Sequence, residues 1–304
     1  TSWRSDVYSR VLFRLTQKKG DKYLYAEPLV RMMKYYGING IGFNSEFRTS
    51  SSVMTQLSEF FVDCHKEAEK LNWKFEVHWY DGTSDDGQIH FDGGLGYHNQ
   101  KIFGDKDNIA TDMLFANYNW GPNHLSGSVS TAKRLGRSSF DYYAGFDIQG
   151  RGLRQPSWSA LLDNDISIGF WGAHKQSLIH QSATDNGTSD IAIQKTYLKK
   201  QELMFSGGYN NPGLLPAINT DCNLANASLK SFHGLATFLT AKSTIQQVPF
   251  VSRFNLGNGL SFRKDGKVTF NHKWYNLNTQ DYMPTWRWWI TDGADQVNTG
   301  NINS

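Results

Sequence analysis

Along this chain, stretches in which apolar residues recur every three or four positions alternate with shorter, nearly continuous apolar runs. Leu29, Val30, Met33 and Tyr36 share one side of a helix over residues 26–36, with Pro28 in its first turn and Gly37 at its stop. Met54, Leu57, Phe60, Phe61, Cys64, Ala68 and Leu71 keep the same spacing and predict a second amphipathic helix. Residues 39–46, 74–81, 113–120, 142–150, 166–173 and 248–257 are short runs rich in Ile, Val, Phe, Tyr and Trp, bounded by Gly, Asn and Asp, and predict six buried strands. Strands alternating with helices over such a length predict an α/β fold, a parallel sheet closed as a (β/α)8 TIM-like barrel. Six strands are two short of that barrel, so the first two are expected upstream of Thr1. The barrel is assigned to residues 1–290. Residues 291–304, which begin within the segment "TWRWWITDG" just after its Trp cluster, are assigned to a linker or to the start of a β-rich domain.

In parallel barrels the chemistry sits at the C-terminal ends of the strands, and polar residues gather there in this chain. Side chains alternate on a strand, so in "NGIGFNSEF" residues Gly40, Gly42, Asn44 and Glu46 line one face and Ile41, Phe43 and Ser45 the other. An amide and a carboxyl therefore project together. Tyr80 and Asp81, Asn117 and Trp120, Asp147 and Gln149, Trp171, and Asn255 end the other runs. A strand that has simply reached solvent accounts for one such group; six together point to a functional mouth.

Charge and composition narrow the classes. Across 304 residues, 31 basic and 28 acidic side chains are interspersed and leave a net charge of only +3, unlike the concentrated basic face that nucleic acid demands. No apolar run approaches the roughly 20 residues of a membrane span. Cys64 and Cys222, the two cysteines, and the nine His have no metal-ligand spacing, so neither a metal nor another cofactor is expected. Aromatic residues make up 14%, with ten Trp, many beside Gly and Asn. Aromatic rings stack on the C–H faces of sugars, but they also fill large cores, and composition leaves both open.

Several segments together resemble the endo-β-N-acetylglucosaminidases of glycoside hydrolase family 85. "LTQKKGDKYLYAEPLVRMMKYYGINGIGFNSE" is similar to the helix that leads into that family's Asn-x-Glu strand, and "VHWYDGTSDDGQIHF" to its WYD segment. "FANYNW", "YYAGFDIQGRG", "VPFVSRFNLGNGL" and "LNTQDYMPTWRWW" follow in the family's order over most of residues 10–290. The resemblance implies cleavage between the two core GlcNAc residues of N-glycans on glycoproteins or glycopeptides. It places the acid/base glutamate at Glu46, the acetamide-orienting asparagine at Asn44 and the active-site tyrosine at Tyr80. Sugar contacts are expected from Trp79, Phe91, Asn117, Trp120, Asp147, Trp171 and Asn255. Phe91 stands where a tryptophan is common, keeping a stacking surface and losing an indole N–H. Other domains of a longer chain are expected to complete the barrel, with a secreted or cell-surface location if the source is bacterial and a cytosolic one if it is eukaryotic.

The chemistry fits the residues. A retaining glycosidase ordinarily sets a second carboxylate about 5 Å from the acid, and none is spaced for that here. In substrate-assisted cleavage the substrate's own 2-acetamido oxygen attacks instead, giving an oxazoline, and an Asn beside the acid can accept the acetamide N–H as positive charge grows. Two rival readings are a chitinase-like hydrolase of family 18, whose DGxDxDxE strand "NGIGFNSE" faintly echoes without its intervening acids, and an inactive glycan-binding barrel.

Overall fold

The computed structural model describes residues 10–153, 158–172, 187–206 and 257–276, with residues 232, 234, 235, 238, 248–251, 290, 291, 296 and 297 as shorter pieces. By internal contacts the chain divides into two compact units, residues 1–151 with 155–173, and residues 152–154 with 174–304.

The first unit carries a five-stranded sheet. Strands β1 (Gly40–Phe43), β2 (Glu76–Tyr80), β3 (Met113–Phe115), β4 (Tyr142–Asp147) and β5 (Ser167–Trp171) lie side by side in chain order. All four pairings are parallel. Helix α1 (Ala26–Tyr36) precedes β1, α2 (Ser51–Lys70) joins β1 to β2, and α3 (Pro122–Arg134) joins β3 to β4. This is the predicted alternation, in α/β barrel style, and each strand falls inside a run read from the sequence. The predicted run at 248–257 is different: residues 248–251 form no strand, and residues 252–256, Asn255 among them, lie outside the described residues.

Local chemistry sets the helix ends. Backbone N–H groups of Gly37 and Ile38 bond back to Lys34 and Met33, closing α1 where the glycine was expected to stop it. The Ser50 hydroxyl accepts the Val53 N–H and caps α2. Met54, Leu57, Phe60, Phe61, Cys64 and Ala68 of α2 are buried, as their spacing predicted. Phe61 meets Phe43 and Trp79 at ring-centroid distances of 5.1 and 6.2 Å, so α2 packs its aromatic stripe on the outer faces of β1 and β2. A second aromatic layer joins Trp120, Phe146 and Trp158 at 5.2 and 4.2 Å.

The opposite face of the sheet carries the row Gly42, His78, Met113 and the row Tyr80, Phe115, Tyr143, with Gly145 paired to Gly169 and Asp147 to Trp171. A side chain at Gly145 or Gly169 would collide with the Phe115 ring. Two adjacent glycines thus make the slot in which that ring lies.

In the second unit, helix α4 (Asp190–Ser206) holds Lys273 through Asp190 at 2.8 Å, Asn258–Gly259 pairs antiparallel with Trp274–Tyr275, and Phe262–Lys264 pairs with Lys267–Phe270. Among the described residues no helix is long and apolar enough to cross a membrane.

Candidate active site

β1 ends at Phe43, three residues before the predicted end, and the cause is local. The Glu46 N–H turns back to the Asn44 carbonyl at 2.9 Å, and the Ser45 carbonyl accepts the Thr83 N–H and hydroxyl at 2.6 and 2.7 Å. The Thr83 hydroxyl oxygen also receives the Phe47 N–H at 3.1 Å, and the Ser45 hydroxyl bonds the Tyr80 carbonyl. A Cβ at Gly82 would strike the Ser45 carbonyl, so only glycine lets the two chain segments approach this closely. Residues 44–47 are thereby strapped to the turn that follows β2, with Ser45 and Phe47 buried and Asn44 and Glu46 exposed.

Beneath the strap lies Asp81, 1% exposed. Its carboxyl accepts the Gly93 N–H at 2.6 Å, the Asn99 amide at 3.0 Å and the Asn117 N–H at 3.3 Å, tying the 82–99 loop and the end of β3 to the end of β2. Burial pushes this carboxyl up to about 7, although the three donated hydrogen bonds pull the other way.

Above these supports is a cavity of about 500 Å³. Asn44, Glu46, His78, Tyr80, Met113, Phe115, Tyr118, Asp147 and Trp171 line it together with Gly42 and Phe43. Neither the Asn44 amide nor the Glu46 carboxyl makes a hydrogen bond to the protein among the described residues. Both are free to meet a ligand. The Tyr80 hydroxyl receives the Asn117 Nδ2 at 2.8 Å. Burial raises Tyr80 above the ordinary phenol value, the Asn117 hydrogen bond opposes this, and the charge of Glu46 adds to it. Tyr118 is raised further by burial and by the neighbouring Tyr80 and Asp147.

The remaining expected contacts divide. Trp171 is 54% exposed at the cavity. Phe91 stands beside Tyr80 at 6.1 Å in a left-handed backbone conformation, φ 54°, with its carbonyl held by the Asn119 amide at 2.8 Å. Asp147 lines the cavity, but its carboxylate folds back to accept the Gly150 N–H at 2.7 Å. Trp79 and Trp120 are corrections. Both indoles are core, 0% and 3% exposed, donating to the carbonyls of Thr83 (3.1 Å) and Gly145 (2.7 Å). Trp79 borders the cavity yet offers no surface to a sugar. Tyr118, Phe115, His78 and Met113 were missed; the period of two along β2 and β3 puts the last three on the Tyr80 face and could have found them.

Residues 3–262 match the model of glycosyl hydrolase family 85. The chain belongs to that family. Among relatives of this family 85 chain are the cytosolic endo-β-N-acetylglucosaminidases of Gallus gallus, 25% identical over 270 residues, and of Homo sapiens, 27% identical over 268 residues. The alignments cover 88% and 87% of this chain and 31% of each relative, so the chain spans about a third of their length. Its fold is that of the glycoside hydrolase domain of Endo-D from Streptococcus pneumoniae R6, with a TM-score of 0.70 at 24% identity, covering 91% of this chain and 42% of that one.

Proposed function

We propose that the protein is an endo-β-N-acetylglucosaminidase that hydrolyses the GlcNAc-β1,4-GlcNAc bond of N-glycan cores by a retaining, substrate-assisted route. The observation that carries this is the pairing of a free amide, Asn44, with a free carboxyl, Glu46, on one cavity wall beside Tyr80. The names of the family 85 relatives agree with it.

In the first step the acetamide oxygen attacks the anomeric carbon, the bond to the leaving sugar breaks, and Glu46 gives its proton to the departing oxygen. Asn44 accepts the acetamide N–H, whose positive character grows as the oxazoline ring closes, so its hydrogen bond strengthens toward the transition state. In the second step the Glu46 carboxylate takes a proton from water, water opens the oxazoline, and two inversions leave the configuration retained. Tyr80 supports the acid/base side. Trp171 and Phe91 offer sugar-stacking faces, and Asp147 and the wall around Asn117 bound the cleft.

Asp147 motivates a second reading, because it places another carboxylate on the same cavity. As nucleophile of a conventional double displacement it would need a free, outward-facing oxygen. Its turn back onto Gly150 favours a structural cap instead.

The deciding experiment treats a high-mannose glycopeptide with the complete protein and reads the peptide by mass spectrometry. One GlcNAc left on the peptide is the expected product. Cleavage confined to chitin oligosaccharides would replace this reading with the family 18-like one, and glycan binding without cleavage would replace it with a lectin.

A further inference from the structure

The Tyr80 hydroxyl is held from one side by a neighbouring amide. Asn117 Nδ2 bonds its hydroxyl oxygen at 2.8 Å. The Tyr118 ring stands alongside, its centre 6.2 Å from that of Tyr80. A phenol has one proton and an oxygen that accepts. With an amide N–H donating to that oxygen, Tyr80 cannot turn its own proton toward Asn117.

We infer that Asn117 is a positioning residue that occupies the acceptor side of the Tyr80 oxygen and so turns its O–H into the cavity, toward Glu46. Glu46 lines the same cavity and is the acidic neighbour whose charge acts on both tyrosines, whereas Asp81 is committed to its three donors. The aimed O–H matters most after Glu46 has given up its proton, when a full carboxylate must be stabilised. Its effect is then larger in the transition state than in the bound substrate, and it acts on kcat. Asn117, expected to touch sugar, acts on this view through Tyr80.

The inference rests on the proposed activity, and a mutant cycle separates the two. Asn117→Asp keeps the shape but replaces the donor with an acceptor, which draws the Tyr80 proton back into the wall. In the complete protein, Asn117→Asp should lower kcat on glycopeptide about as far as Tyr80→Phe, about 10²-fold, with KM changed less than threefold. In a Tyr80→Phe background, Asn117→Asp should cost nothing further, because there is no proton left to aim. Full additivity in the cycle, with wild-type turnover intact, overturns the inference and leaves the proposed function standing. An undiminished kcat for Asn117→Asp overturns it equally. An inactive wild-type protein sinks the proposed function instead. Thermal unfolding of each variant identifies losses that come from misfolding, and for a misfolded Asn117→Asp the milder Asn117→Ala completes the cycle.

Discussion

Asn44 and Glu46 reach the cavity uncommitted, whereas Asp81, Asn117 and Asp147 are each spoken for by a hydrogen bond to the protein. That difference separates groups free to meet a ligand from groups tied into the wall. If Asn44 serves oxazoline formation alone, Asn44→Ala should lower hydrolysis of natural glycan by about 10²–10³-fold yet spare glycan transfer from a preformed sugar oxazoline to a GlcNAc-peptide. Glu46→Gln should impair both reactions, since general acid and general base are lost together. Equal loss of the two reactions in folded Asn44→Ala would make Asn44 a general positioning residue and reopen the case for Asp147 as nucleophile. At this scale the shared side of Asn44 and Glu46 was legible from their spacing of two, although β1 stops at Phe43 and the strap to Thr83, not the strand, holds them there. Trp79 and Trp120 were misread for a physical reason: an indole beside Gly and Asn looks the same whether its N–H serves a sugar or a backbone carbonyl. Only the packing of α2 and Phe146 against them tells which.

Between elements, one polar clasp does much of the fastening. His65 of α2 donates through Nδ1 to the Phe61 carbonyl and through Nε2 to Asp112, each at 2.8 Å, and Asp112 also accepts the Val77 N–H of β2 at 2.7 Å. Two donating ring nitrogens require the imidazolium. Burial alone would lower the His65 value, but the Asp112 hydrogen bond and charge, with the Phe61 carbonyl, outweigh it and the net shift is upward. For Asp112, burial is likewise outweighed by His65 and Val77, and the net shift is downward. The His65 contribution is therefore complete below its ordinary value of 6.5 and is lost as pH rises through the elevated one, while that of Asp112 is lost as pH falls through its depressed value. Urea unfolding at a series of pH values should show wild-type stability declining above about 6.5. His65→Ala should lessen that decline, leaving the part that Asp81 contributes up to about 7, and cost about 1.5–3 kcal/mol below it; an unchanged slope would assign the pH dependence elsewhere. The elements were legible because helix stripes and strand runs have different periods. Their ends were less so: β1 stops where Thr83, nearly forty residues on, captures the Ser45 carbonyl, and no local pattern announces a partner that distant.

For the whole molecule, the site and its stability are coupled through Asp81. A buried carboxyl whose value is raised to about 7 holds its proton more firmly folded than unfolded, so its contribution is greatest below the ordinary 3.8 and is lost as pH rises from there through about 7. Asp81→Asn should flatten that slope. It should also destabilise the protein by about 1–3 kcal/mol, because its new amide would face the Asn99 amide, which is already fixed by Gly94 and Gly96. Calorimetry at pH 5 and pH 8 reads both effects, and a stabilised variant would contradict the second. The family match and the shared fold extend over both compact units, although the five-stranded parallel sheet belongs to one. The α/β barrel class was legible because β/α alternation is a chain-long rhythm, whereas the neighbour of each cavity residue depends on how strands splay. The slot beneath Phe115 has a bearing on descent as well. Gly145 and Gly169 press on opposite edges of one ring, but a Cβ at Gly145 would also strike the Ala116 carbonyl, so a smaller ring would release Gly169 alone. A lineage seeking to fill Gly169 must change Phe115 first, and once that glycine has been filled, the road back to phenylalanine is closed.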